Sequence, residues 1–81
     1  MMNTNPFHTP VKFLVRRTIH EIGSPSEALN YLQTKWPAGG GSSYVNAERV
    51  LISVLQGARP IPDGRRAFLR AAEEAGLFIL E

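Results

Sequence analysis

Pro10-Val11-Lys12-Phe13-Leu14-Val15-Arg16-Arg17-Thr18-Ile19-His20-Glu21-Ile22 contains the strongest long-range signal in this 81-residue chain. Val11, Phe13 and Val15 alternate with Lys12 and Leu14, the period-two pattern of a strand. A second short strand, Thr18 to Ile22, follows at once. A turn centred on Arg16-Arg17 sets Lys12 opposite Glu21, Leu14 opposite Ile19 and Val11 opposite Ile22. That register pairs opposite charges and like apolar groups, as cross-strand energetics prefers. Arg-Arg is a poor two-residue turn because neither residue favours positive φ. A four-residue loop keeps the same parity with less strain, and either connection gives a hairpin.

Downstream of the hairpin the period changes to that of helices. Ser24-Pro25-Ser26-Glu27 reads as a capping box with proline at the first helical position. The helix it opens runs to about Trp36, with Ala28, Leu29, Leu32 and Trp36 on one face, and Pro37 stops it. Ala38 to Ser43 reads as a glycine-rich loop. A second helix spans about Ser43 to Gln56, with Tyr44, Ala47, Leu51, Val54 and Leu55 inward and Gly57 as its terminator. A third starts near Pro62 or Asp63 and ends before Gly76. Its apolar face is Ala67, Phe68, Ala71, Ala72 and Ala75, and its solvent face Arg66, Arg70, Glu73 and Glu74. Leu77 to Glu81 is an apolar tail suited to adding a strand. The predicted fold class is α+β, in the order ββααα with a possible C-terminal strand. It forms one domain over 7–81 behind a flexible tail, 1–6.

Composition narrows the function classes. The chain has no cysteine, which excludes disulfides and fits a reducing compartment. Nine Lys and Arg against seven Asp and Glu leave only +2, less than a dedicated nucleic-acid binder carries. Met1 to Pro10 lacks the basic start and apolar run of a signal peptide. The longest apolar run, Leu77 to Leu80, is too short to cross a bilayer. The expectation is a cytoplasmic protein without membrane attachment.

The ordered set of motifs resembles one bacterial family. Phe7-His8-Thr9-Pro10-Val11 leads into the hairpin, and Ser24 to Leu29 supplies a Ser-x-x-Glu-Ala-Leu helix start. Trp36-Pro37 closes that helix, and Gly41 to Tyr44 opens the next as Gly-x-x-Tyr. Arg66-Ala67-Phe68, Ala71-Ala72 and Glu74-Ala75-Gly76 complete the set. From Phe7 to Leu77 the chain is similar to the domain of unknown function family 982. The resemblance implies a short stand-alone bacterial protein, and it carries over no activity, ligand or catalytic residue. The chain departs from the family pattern in having Ala38 and three glycines where members often carry basic residues, and in its short hairpin loop.

No chemistry-bearing constellation emerges from the residues. Metal binding needs several His, Cys or carboxylate ligands converging; only His8 and His20 are available as histidines, one of them in the lead-in, so no metal site is expected. The serines are explained by caps, loops and helix surface, and no nucleophile elbow occurs. The glycine run before the second helix lacks the lysine that a phosphate loop needs, and so reads as a linker. Neither a catalytic centre nor a cofactor is expected, and the chain does not read as an enzyme.

Two surface readings remain. Leu14 and Ile19 fall on the hairpin face opposite Val11, Phe13 and Val15. Val45 and Ile52 lie on the second helix away from its inner stripe. These four residues exceed what a one-sided core can use, and they point to an interface with a protein partner or a second copy. If the tail pairs edge-on with the hairpin, Leu14 and Ile19 stay open. The alternative is weak nucleic-acid binding through Arg59, Arg65, Arg66 and Arg70 at the start and along the third helix. Asp63, Glu73 and Glu74 interrupt that group, and Arg70 has Glu73 or Glu74 within pairing distance. Trp36, spaced with Leu29 and Leu32, reads as a core residue rather than an exposed recognition anchor.

Overall fold

The computed structural model describes residues 5–36 and 41–80. Strands β1 (Val11–Val15) and β2 (Thr18–Ile22) form the hairpin. Helices α1 (Pro25–Thr34), α2 (Ser42–Leu55) and α3 (Ile61–Glu74) follow, and β3 (Phe78–Leu80) ends the chain. The architecture is α+β. Most of the expected 1–6 tail lies outside the described residues, as does most of the glycine run.

The hairpin has the predicted register, with Val11 opposite Ile22, Lys12 opposite Glu21 and Leu14 opposite Ile19. Its connection is the two-residue turn and not the four-residue loop. Val15 pairs with Thr18, so only Arg16 and Arg17 remain for the turn, at φ 49° and 68°. Both are in the left-handed region, as a type I′ hairpin turn requires. A four-residue loop would give up the Val15–Thr18 pair and loosen Val15, which packs against the core. Keeping that pairing offsets a left-handed penalty of about 1–2 kcal/mol per residue.

The tail resolves in favour of a strand. β3 pairs antiparallel with β1, setting Lys12 opposite Leu80, Phe13 opposite Ile79 and Leu14 opposite Phe78. The sheet order is therefore β2-β1-β3, with β1 in the centre. The route to that edge is prepared by the end of α3. Gly76 takes φ 78°, its N–H bonds Glu73 O, and the Leu77 N–H bonds Ala72 O. This is a complete Schellman motif, and Gly57 (φ 79°) closes α2 in the same way.

Local capping defines α1. Ser24 Oγ accepts from the Glu27 N–H at 3.3 Å, while Glu27 reaches back to the Gly23 N–H at 3.0 Å. The box thus closes one residue further back than the usual reciprocal pair. The helix stops at Thr34, with Lys35 as its cap, two residues short of the predicted end at Trp36. The residue preceding a proline is disfavoured in α geometry, which moves Trp36 out of the helix. At the same end, Tyr44 Oη donates to Leu32 O at 2.8 Å, so α2 satisfies a terminal carbonyl of α1.

The core lies between one face of the sheet and the helices. Phe13 is fully buried and its ring meets those of His20 at 5.5 Å, Tyr31 at 5.2 Å and Phe68 at 6.0 Å. Phe7, Tyr31 and Val50 join the core, although the helical stripes did not assign them to it. Burial also pushes the Tyr31 phenol above its ordinary pKa. Gly64 is buried because α2 and α3 approach closely there: a Cβ would fall 2.9 Å from Leu51 Cδ2. Trp36 is half-buried, with its ring near those of Tyr31, Tyr44 and Phe68. It packs against the core, as its spacing indicated.

Two substitutions test these local assignments. Ser24→Ala should lower stability by about 1 kcal/mol, seen as a lower urea midpoint at unchanged slope. An unchanged midpoint would mean that Ser24 contributes nothing as a cap. Replacing the turn by Arg16→Asn with Arg17→Gly should raise stability by about 1 kcal/mol, since Asn-Gly suits a type I′ turn. The melting temperature should rise by about 4–8 °C, and a fall would argue against the left-handed turn.

Candidate functional site

Edge-on pairing of β3 leaves one face of the sheet open. Directly opposed residues of antiparallel strands project to the same side. The row Ile19–Leu14–Phe78 therefore crosses all three strands on the face away from Phe13. Ile19 is 63% exposed, Leu14 37% and Phe78 65%. Two residues along, Glu21, Lys12 and Leu80 form a parallel row on the same face. Lys12 Nζ and Glu21 Oε2 are 3.6 Å apart and both side chains are largely exposed, a pair worth little to stability.

The four residues predicted as an interface divide into two pairs. Leu14 and Ile19 share the open sheet face. Val45 and Ile52 are also exposed, but they project from α2. The α2 residues Ala47, Val50, Leu51 and Val54 belong to the same core as Phe13, so α2 lies on the opposite side of the sheet from Leu14. Phe78, which was not among the four, joins the first pair. Its direction could not be read from Leu77-Phe78-Ile79-Leu80, a run with no polar alternation.

The four arginines of the alternative reading also divide. Arg59, Arg66 and Arg70 line a groove of about 180 Å³ between α2 and α3, together with Asn46, Val50, Asp63 and Ala67. Asp63 accepts from Arg59 Nε at 3.2 Å and also from Arg66 Nη2. Arg65 instead donates from Nε to Thr9 O at 2.8 Å, tying α3 to the lead-in before β1. Arg70 pairs with neither Glu73 nor Glu74, contrary to its helical spacing. Glu74 is engaged elsewhere. Its carboxylate accepts from the Ser43 N–H at 3.2 Å and from Ser43 Oγ at 3.0 Å. It thereby supplies the N-terminal cap of α2 that Gly41 cannot. The start of α2, behind the glycine run, thus already holds a carboxylate of the chain itself.

His8 is exposed in the lead-in, while His20 sits on the inner sheet face, stacked on Phe13 at 18° between ring planes. Among the described residues no three His, Asp or Glu side chains come together in a metal-binding group. No described helix is long and apolar enough to cross a membrane.

No curated protein and no solved structure matches the chain. A family model does match, over residues 9–79, which span the hairpin, the three helices and the start of β3. The chain therefore belongs to the family described as Protein of unknown function (DUF982).

Proposed function

We propose that this protein is a small, non-catalytic interaction module of the bacterial cytoplasm that self-associates through the outer face of its sheet. The observation that carries the reading is the in-register row Ile19–Leu14–Phe78, three large apolar side chains left in water across the full width of the sheet. Fully burying an exposed side chain of this kind contributes about 1.5–3 kcal/mol; these three, between 37% and 65% exposed, have a part of that still to gain from a partner that covers the row.

A second copy is the occupant that the chemistry favours. Beside the apolar row, among the described strand residues, the face carries the cation Lys12 and the anion Glu21, 3.6 Å apart. Such a surface is electrically self-complementary. A two-fold pairing sets each lysine near the partner's glutamate, which is the isologous arrangement of common homodimers. Antiparallel stacking of the two sheets also places the Arg16-Arg17 turns at opposite ends, away from mutual repulsion. The absence of cysteine supports a reducing compartment. Nucleic-acid binding through α3 has less support, because Arg65 faces away from the other three arginines and Asp63 partly neutralises them.

Sedimentation across a wide concentration range tests the proposal. The wild type should show reversible, concentration-dependent doubling of mass. Leu14→Glu and Phe78→Glu should remain monomeric at concentrations where the wild type is dimeric, with unchanged circular dichroism. Ile52→Glu, on the helical side, should still associate. A wild type that stays monomeric throughout would overturn self-association. Dimers that survive Leu14→Glu but not Ile52→Glu would move the interface to α2.

A further inference from the structure

We propose that the groove between α2 and α3 is a binding site for the phosphoryl group of a small phosphate-bearing molecule. This rests on different residues from the sheet face and does not depend on self-association.

Arg59, Arg66 and Arg70 line this groove, and among the described residues Asp63 is the one acid that lines it with them. The lining therefore carries a formal +2, from three positive charges and one negative. Asp63 has only 20% of its side chain exposed and holds two of the arginines, through Arg59 Nε and Arg66 Nη2. Anchored in this way, each keeps other N–H donors for a ligand: the terminal nitrogens of Arg59, and Nε and Nη1 of Arg66. Arg70 lies one helical turn beyond Arg66, and its side chain makes no ion pair or hydrogen bond with the described residues. The acids that might have quenched it are elsewhere: Glu74 caps α2 through Ser43, and Glu73 does not line the groove. Asn46 adds an amide from the α2 wall.

Charge and size select the ligand class. A phosphate monoester carries about −1.5 to −2 at neutral pH, which matches the +2 of the lining, whereas a carboxylate leaves half of it uncompensated. Guanidinium forks match phosphate oxygens in bidentate geometry. Val50 and Ala67 are buried apolar neighbours in the wall, while Arg59 and Arg66 keep 47% and 69% of their side chains exposed and so remain open to a ligand from solution. At about 180 Å³ the groove is smaller than the roughly 300–1,000 Å³ of sites that enclose a whole drug-sized ligand. It suits a headgroup, with the rest of the molecule outside. Nucleic-acid backbones instead require a basic stripe. Arg65 is turned to Thr9, and Arg16 and Arg17 are on the hairpin turn.

Titration with inorganic phosphate and with pyrophosphate at low salt, followed by calorimetry and amide NMR shifts, provides the test. Saturable binding is expected, with the largest shifts at Asn46, Asp63, Arg66 and Arg70. Arg70→Gln should weaken it about tenfold or more, and Arg70→Lys, which keeps the charge but loses the fork, should weaken it less. Arg16→Gln removes the same charge from the turn and should leave affinity unchanged. Circular dichroism of the variants separates loss of binding from loss of fold. No saturable binding by wild type would overturn the site. So would equal weakening by Arg16→Gln and Arg70→Gln, which would mean net charge alone. Binding of a single-stranded oligonucleotide without binding of either phosphate would also overturn it, in favour of a nucleic-acid surface.

Discussion

The ring of Phe13 meets His20 from β2, Tyr31 from α1 and Phe68 from α3, and its backbone lies on the central strand between two partners. One side chain therefore joins the sheet to two helices. The alternation that turns Phe13 inward also turns Leu14 outward. A chain of 81 residues has little core to spare, and it spends its helices on a single face of the sheet. The outer apolar row is the geometric complement of that choice.

The helices obtain their ends in different ways. α1 is capped from within its own sequence by Ser24 and Glu27. α2 follows a glycine N-cap, and its Ser43 is held by Glu74, 31 residues further along at the C-terminal end of α3. The start of α2 is thus stabilised only once α3 has docked against it, whereas α1 needs no distant partner to begin. Tyr44 then links the two arrangements by closing a carbonyl of α1 from the first turn of α2.

Much of the hairpin was legible because its signals agree. Lys12 and Glu21 attract, Leu14 and Ile19 match, and a single register satisfies both. The turn was harder to read, since local preference argues against Arg-Arg and only the extra Val15–Thr18 pairing and the packing of Val15 outweigh it. The direction of Phe78 was illegible for a different reason: in a continuous apolar run, inward and outward residues separate only after the partner strand is known. Val50 and Gly64 escaped the helical stripes because their burial follows from how closely α2 and α3 approach. Among the arginines, Arg66 and Arg70 share a face by spacing alone. Arg59 in the link, and the turning away of Arg65 towards Thr9, needed the tertiary structure.

The tight turn has a consequence for susceptibility to proteases. Arg16-Arg17 is exposed and dibasic, and a trypsin-like enzyme would be expected to cut a loop of that composition. Here both residues are locked between paired strands at positive φ, which is not the extended form that a protease cleft accepts. Cleavage must wait until Val15 and Thr18 separate. When reclosing is faster than cutting, the rate of nicking at this site follows the population of opened hairpin. The chain thus carries its own reporter of how firmly β1 and β2 are held together, placed beside the row of side chains that their pairing aligns.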